Sequence, residues 1–291
     1  MVNMPSVGFI GAGTVGTALA VRLKQKGYDV TAVSSRTRAS AERLATMVDK
    51  CQVHDSGHGV ADAAEMVFIT TPDGVIPQIA AQIRWHPGQS VVHCSGADSL
   101  DILAPATRNG ASTGGFHPLQ TFASVTHAIE NIPGSTFGLE AEEPLLSTIK
   151  EMAITLEGRW IQLKPGDKVV YHAAAVFACN YLVTLTKLAT DLWLTLGVST
   201  PEATEALLPL LRGTINNLHN VGLPDCLTGP IARGDSGTVR KHLAALKARA
   251  PQLLAPYQEL GRQTIPIALA KGRIDEQKAN ELEKLLSQSD W

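Results

Sequence analysis

Three stretches of the chain hold residues whose types and spacing suit chemistry on a bound small molecule. The first, Gly11-Ala12-Gly13-Thr14-Val15-Gly16, follows directly on Val7-Gly8-Phe9-Ile10, which puts a GxGxxG where a first strand should turn into a helix. There Gly11 permits the tight turn, Gly13 lets the backbone approach a pyrophosphate, and Gly16 lets the helix pack closely on the strand. The amides of Thr14, Val15 and Gly16 would then open the helix and hold negative charge. A ligand-free glycine turn is the plain alternative. The acid that selects NAD, about 20 residues beyond the glycines, is missing, because that stretch reads Val33-Ser34-Ser35-Arg36-Thr37-Arg38. The hydroxyls of Ser34 and Ser35 and the guanidinium of Arg36 suit a 2′-phosphate, whose oxygens match the donor fork of arginine. The expected cofactor is therefore NADP (NADPH) in preference to NAD, the alternative being that Arg36 and Arg38 are solvated loop charges. Thr70-Thr71-Pro72-Asp73 and His93-Cys94-Ser95-Gly96-Ala97 each follow a buried strand. Thr71, Pro72 and Ser95 are thus expected at the carboxyl edge of a sheet, beside the cofactor, unless Asp73 and Ser95 serve only as helix caps.

The second stretch, Gly114-Gly115-Phe116-His117-Pro118-Leu119-Gln120-Thr121-Phe122, offers His117, whose titration range suits a general acid or a donor to a forming oxyanion. In the third, Tyr171 to Tyr181 opens a long helix with small residues and a few polar groups. At about 100° per residue Asn180, Thr184 and Lys187 share one face, with His172 near it. Such a stripe can hold a substrate or be a solvated edge. Downstream, Leu227-Thr228-Gly229-Pro230-Ile231-Ala232-Arg233-Gly234-Asp235 offers Arg233 to clamp a carboxylate in two hydrogen bonds. The bland reading pairs Arg233 with Asp235, or makes Asp235 the cap of the helix that starts near Thr238. Arg212, Asn216 and His219 follow one another at helical spacing and form a more remote polar set. The four cysteines, Cys51, Cys94, Cys179 and Cys226, lack CxxC spacing, and the nine histidines lack HxH or HExxH spacing, so no metal site is expected.

The elements that must position these groups follow from periodicity. Short apolar or β-branched runs at Ser6–Ile10, Asp29–Ser34, Met66–Thr70, Ser90–Cys94 and Ala111–Phe116 alternate with helical patterns at Val15–Lys26, Ala39–Val48, Val75–Ile83 and Ser99–Thr107. That alternation predicts an α/β fold with a doubly wound parallel sheet, a Rossmann domain over residues 1–165. From 166 to 291 helical periodicity takes over, with Val170–Leu196 as its first long stretch, which predicts an all-helical second domain. The turn sequence Lys164-Pro165-Gly166-Asp167 marks the boundary. The length of 291 residues and 44% hydrophobic content suffice for two buried cores. A formal charge of -2 gives no electrostatic drive towards nucleic acid or anionic lipid. The apolar stretch His172–Val198 carries Asn180, Lys187 and Asp191, which would be expensive in hydrocarbon, so no membrane span is expected. The start of the chain lacks the charged leader of a signal peptide, and the expected location is cytoplasmic.

With these motifs the chain resembles the Rossmann-like proteins that carry a C-terminal domain of unknown function, DUF2520, relatives of pyrroline-5-carboxylate reductase and of the F420-dependent NADP oxidoreductases. The resemblance rests on GFIGAGTVG at Gly8–Gly16, HCSGA at His93–Ala97, GFHPLQTF at Gly115–Phe122, YHAAAVFACNY at Tyr171–Tyr181 and LTGPIARGD at Leu227–Asp235. It implies an NADP-binding Rossmann domain and a helical domain of the 6-phosphogluconate dehydrogenase C-terminal type, paired in a homodimer with the active site in the interdomain cleft. Neighbouring 3-hydroxyacid dehydrogenases place a lysine and an asparagine on the equivalent first long helix. Asn180 would fill the asparagine role, while the lysine-like position holds no lysine and His172 is the nearest ionisable candidate. The loop Thr-Gly-Pro-Ile-Ala-Arg-Gly-Asp departs from that of pyrroline-5-carboxylate reductase, which argues against that substrate.

The expected function is an NADP-dependent oxidoreductase that reduces the C=O of a small anionic metabolite, a branched 2-oxo acid such as ketopantoate being the first substrate to try. In it Arg233 fixes a carboxylate, His172 or His117 donates the proton, and Asn180 and Ser95 orient the carbonyl. The competing expectation is a dinucleotide-binding sensor or scaffold without chemistry.

Overall fold

The computed structural model describes residues 4–288. Eight strands, β1 (Val7–Ile10), β2 (Val30–Ser34), β3 (Gln52–Val53), β4 (Met66–Ile69), β5 (Ser90–His93), β6 (Ser112–Leu119), β7 (Thr136–Ala141) and β8 (Arg159–Gln162), form one sheet in the order β3-β2-β1-β4-β5-β6-β7-β8. The first six run parallel, in the order of a dinucleotide-binding sheet. β7 pairs antiparallel with β6, and β8 runs parallel to β7. Seven helices belong to this layer: α1 (Thr14–Gln25), α2 (Arg38–Met47), α3 (Gly57–Ala63), α4 (Ile76–Gln82), α5 (Ala104–Arg108), α6 (Val125–Asn131) and α7 (Leu145–Thr155). Helices cover both faces, so β1 and β4 are buried at every residue and read as continuous apolar runs rather than as alternation. On one face Phe9, Phe68, Phe116 and Phe137 form a row across β1, β4, β6 and β7, with ring centroids 5.4, 5.7 and 4.6 Å apart in turn. This row and the aliphatic groups of α1, α6 and α7 make one core; Ile10, Val67, Ile69, Val91 and Ile76 lie in the other.

The register carries the site. β5 ends at His93, which pairs with Gly115 of β6, while β6 runs on so that His117 pairs with Gly138 of β7. His93 and His117 therefore stand two positions apart in the register at the carboxyl edge of the parallel strands.

The chain divides into two compact units, one ending at Cys179 and one beginning at Asn180. The sequence places this break at 165/166. It falls later because helix α8 (Asp167–Ala178) sends Lys168, only 2% exposed, into the first unit. The expected helix Val170–Leu196 is two segments, α8 and α9 (Asn180–Leu194), joined at Cys179.

In the second unit α10 (Thr200–Asn220) begins at a capping box in which Ser199 and Glu202 satisfy each other's backbone amides. α11 (Ser236–Arg249), α12 (Leu254–Ala270) and α13 (Glu276–Leu286) pack Val239, Leu243, Ile265, Ala268, Leu282 and Leu285 into a core. By contrast α9 buries only Thr190 and α10 only Ala203. The stretch Asp167–Leu194 is long and apolar enough to cross a membrane by length and composition, and none of its most apolar window is buried.

Candidate active site

The glycine loop has the shape its motif demands. Gly11 takes φ +111°, and a Cβ there would lie 2.7 Å from the Thr70 carbonyl carbon. At Gly16 a Cβ would lie 2.3 Å from Thr70 Oγ1 and 2.5 Å from the Gly11 oxygen, so only glycine lets α1 pack against the end of β4. Gly13, by contrast, has open space where its side chain would be, and α1 has no side-chain cap over its first amides. Thr71 Oγ1 is buried with no hydrogen-bond partner among the described residues. An open glycine, uncapped amides and an orphaned hydroxyl at one sheet edge fit the pyrophosphate of a dinucleotide. Ser34, which pairs with Ile10, is buried, and Ser35 is half-buried beside it. The two arginines then part: Arg38 is tied to Glu42 and Asp55, whereas Arg36 is exposed and free to meet a phosphate.

Beyond the cradle lies a cluster of ionisable groups from four elements. His117 Nδ1 and the Tyr171 hydroxyl are 2.9 Å apart. Either group can be the donor of this bond, and where the Tyr171 hydroxyl donates to Nδ1, His117 carries its hydrogen on Nε2. Gly138 has to be glycine here, since a Cβ would lie 2.8 Å from Tyr171 Cζ. Burial first, then the neighbouring His172 and Lys168, push the His117 imidazole down to about 4, so it is neutral at pH 7. Burial raises the Tyr171 phenol to about 12. His172 completes the group, with its ring 5.9 Å from that of His117. A Cβ on Gly96 would lie 2.4 Å from His172 Cδ2 and 2.8 Å from His117 Nε2, so the bare Gly96 backbone is what admits both rings.

Below these rings, Lys168 Nζ lies 3.2 Å from His93 Nε2 and donates to the Ser95 carbonyl at 3.1 Å. Glu140 Oε2 is 4.0 Å away. Burial drives His93 down to about 3 and lowers Lys168 as well. Gly115 leaves room for the amine, since a Cβ would lie 2.8 Å from Nζ.

The sequence-predicted residues separate into two sets. Gly11, Gly13, Thr14, Val15, Gly16, Ser34, Ser35, Arg36, Thr71 and Pro72 line or adjoin the cradle, and His117 and His172 stand together in the first unit. The Ser95 hydroxyl is engaged within its own loop, contacting Asp73 and Asp98 at 3.0 and 2.9 Å and accepting from the Asp98 amide at 3.0 Å. It is not free to orient a carbonyl. Asn180 and Arg233 belong to the second unit. There Thr184 Oγ1 donates to the Asn180 carbonyl, Lys187 pairs with Asp191, and Asp235 caps α11 through the Thr238 amide at 2.9 Å, the cap anticipated as the alternative reading. Arg233 lines a cavity of about 390 Å³ with Lys271 and Arg273. Sequence reasoning missed Lys168, His93, Tyr171 and Glu140 as site residues. Lys168 lies one turn before His172 on the same helix, a spacing that could have drawn attention to it.

Comparison with known proteins shows what the chain is similar to. Residues 3–118 match the Rossmann-like domain model, and residues 135–264 match the domain of unknown function DUF2520. A search of curated proteins found no match. Among solved structures the chain is similar to protein TM1727 from Thermotoga maritima, at 26% identity and TM-score 0.74, over 92% of this chain and 100% of that one. It is also similar to the "putative NADP oxidoreductase BF3122" from Bacteroides fragilis, at 26% identity and TM-score 0.71, over 90% and 98%. A reductive aminase from Aspergillus terreus in complex with NADPH and ethyl levulinate shares the fold at 16% identity and TM-score 0.65, over 97% and 99%. The chain thus combines a match to the Rossmann-like domain model with a match to DUF2520.

Proposed function

We propose that the protein is an NADP-dependent oxidoreductase that reduces the C=O of a small anionic metabolite. The observation that carries the reading is the Tyr171–His117 hydrogen bond, which holds a neutral imidazole at the carboxyl edge of the parallel strands; with the Tyr171 hydroxyl as donor, Nε2–H is left to meet a substrate. Support for the cofactor comes from the glycine cradle, the unpaired Arg36, and the NADP named for the similar Bacteroides fragilis protein.

Bound NADPH supplies the hydride. Residues 11–16 and Thr71 hold its pyrophosphate, and Arg36 with Ser34 and Ser35 meets the 2′-phosphate. His117 Nε2–H donates to the carbonyl oxygen, a contact that strengthens as negative charge gathers there. The proton then passes from Nε2 to the forming alkoxide while the Tyr171 hydroxyl proton shifts to Nδ1. Water restores the phenol. His172 walls the same space and packs edge-on against His117. Within the second unit, a cavity lined by Arg233, Lys271 and Arg273 has the chemistry to bind a carboxylate, and a 2-oxo acid such as ketopantoate is the first substrate to test.

A second copy of the chain is the proposed partner. Val169, Val170, Val183, Leu210 and Ile215 all stand exposed along α8, α9 and α10, and grouped exposed apolar side chains mark interaction surfaces. The test of the function is NADPH oxidation monitored against a panel of 2-oxo acids, with His117→Gln as control. Oxidation that depends on one acid and collapses in the variant supports the reading; no oxidation with any acid, in a protein that binds NADPH, leaves it a sensor or scaffold.

A further inference from the structure

His93 meets partners at both ring nitrogens, and their geometry restricts where protons can sit. The Ser95 amide donates to Nδ1 at 3.1 Å, so Nδ1 is an acceptor and the hydrogen of the neutral ring is on Nε2. That hydrogen faces Lys168 Nζ at 3.2 Å. An ammonium has no lone pair to receive it, whereas a neutral amine does and can still donate to the Ser95 carbonyl. An ammonium would need His93 to carry its hydrogen on Nδ1, against the Ser95 N–H. Glu140 points the same way. Its Oε2 is buried with no hydrogen-bond partner among the described residues, a poor setting for a carboxylate and a tolerable one for a neutral acid.

We propose that Lys168 and Glu140 form an uncharged pair, with the proton on Glu140, and that the neutral amine fixes the His93 tautomer and so positions the Ser95–Gly96 turn beneath His117 and His172. Lys168 is then a positioning residue that acts through His93. Moving the proton from lysine to glutamate leaves the net charge unchanged and removes two buried charges, which an apolar surrounding favours. The other groups that bear on the pair are Cys94, Asp98 and Asp73 towards Lys168, and Asp101 and Asp167 towards Glu140. Those facing Lys168 favour an ammonium. They oppose burial, which prevails and lowers the amine. Protonation also carries the further cost of the Ser95 amide hydrogen bond. Burial first, and then those facing Glu140, raise its carboxyl above the usual range.

The protonation pattern belongs to the free protein and does not depend on NADPH; the positioning role rests on the reductase reading. The test is therefore nitrogen NMR of the full chain labelled with ¹⁵N-histidine and ¹⁵N-lysine at pH 7.5, with Lys168→Met and His93→Gln to assign the signals. The expected result is His93 protonated on Nε2 alone and Lys168 with the shift of an amine. Glu140→Gln should leave both signals and the melting temperature unchanged, since it replaces a neutral acid by a neutral amide of the same shape. An ammonium shift for Lys168, or His93 protonated on Nδ1, would overturn the proposal in the unaltered protein even if every variant misfolded. So would a marked loss of melting temperature in Glu140→Gln, the sign of a buried ammonium left without its counterion. If these signals hold but NADPH oxidation is never found, the pair stands and the reductase reading fails.

Discussion

At the scale of single residues the account turns on which hydrogen each imidazole carries. A neutral His117 that donates from Nε2 stabilises an alkoxide without first having to be protonated, so turnover should not require acidic solution. His117→Gln should lower kcat by about two to four orders of magnitude, the usual worth of a positioned proton donor, with little change in NADPH affinity; stopped-flow oxidation and calorimetry measure the two separately. Burial of His117 and His93 also predicts how stability varies with pH. Their folded values, about 4 and about 3, lie below the ordinary imidazole value of 6.5, so between 6.5 and those values the unfolded chain binds protons that the folded one refuses. Stability then falls as pH drops through that window. Melting curves from pH 7 to 4 should show this loss, and it should be smaller in His117→Gln. An equal loss in the variant would assign the acid sensitivity to other groups.

At the scale of elements, glycines decide what can be close to what. Gly16 and Gly138 each occupy a position where a methyl would strike a neighbour, Thr70 Oγ1 at 2.3 Å and Tyr171 Cζ at 2.8 Å. Gly16→Ala should push α1 off β4 and weaken NADPH binding together with stability. Gly138→Ala should displace Tyr171 and lower turnover while NADPH still binds; calorimetry alongside turnover separates these outcomes. The cradle was legible in the sequence because its chemistry is local, six consecutive residues between a strand and a helix. The five anticipated parallel strands were legible because their apolar runs are bounded by turns. β3 has only two residues, β8 is exposed throughout, and β7 carries Gly138 and Glu140 inside it, so none of the three shows a strand period. Lys168, Glu140 and His93 come together only through the pairing of β5, β6 and β7, and spacing along the chain holds no trace of that. His117 and His172 were found by residue type, but their adjacency comes from the fold.

At the scale of the whole molecule, the two units differ in how completely they bury their apolar residues. The first closes two cores around its sheet, whereas α9 and α10 of the second leave Leu182, Val183, Leu208, Leu210 and Ile215 exposed. A homodimer that covers these residues predicts twice the chain mass of 30.9 kDa in light scattering, and Leu210→Asp should shift the population towards the monomer. A monomer in both proteins would remove the proposed partner. The central claim, that this is an NADP enzyme, is tested most directly by calorimetric titration of the purified protein and of Arg36→Asp with NADPH and NADH. The account predicts that NADPH binds more tightly than NADH and that the substitution removes most of that preference, because a carboxylate would face the 2′-phosphate. Failure to bind either nucleotide, or equal binding of both with no effect of the substitution, would contradict it.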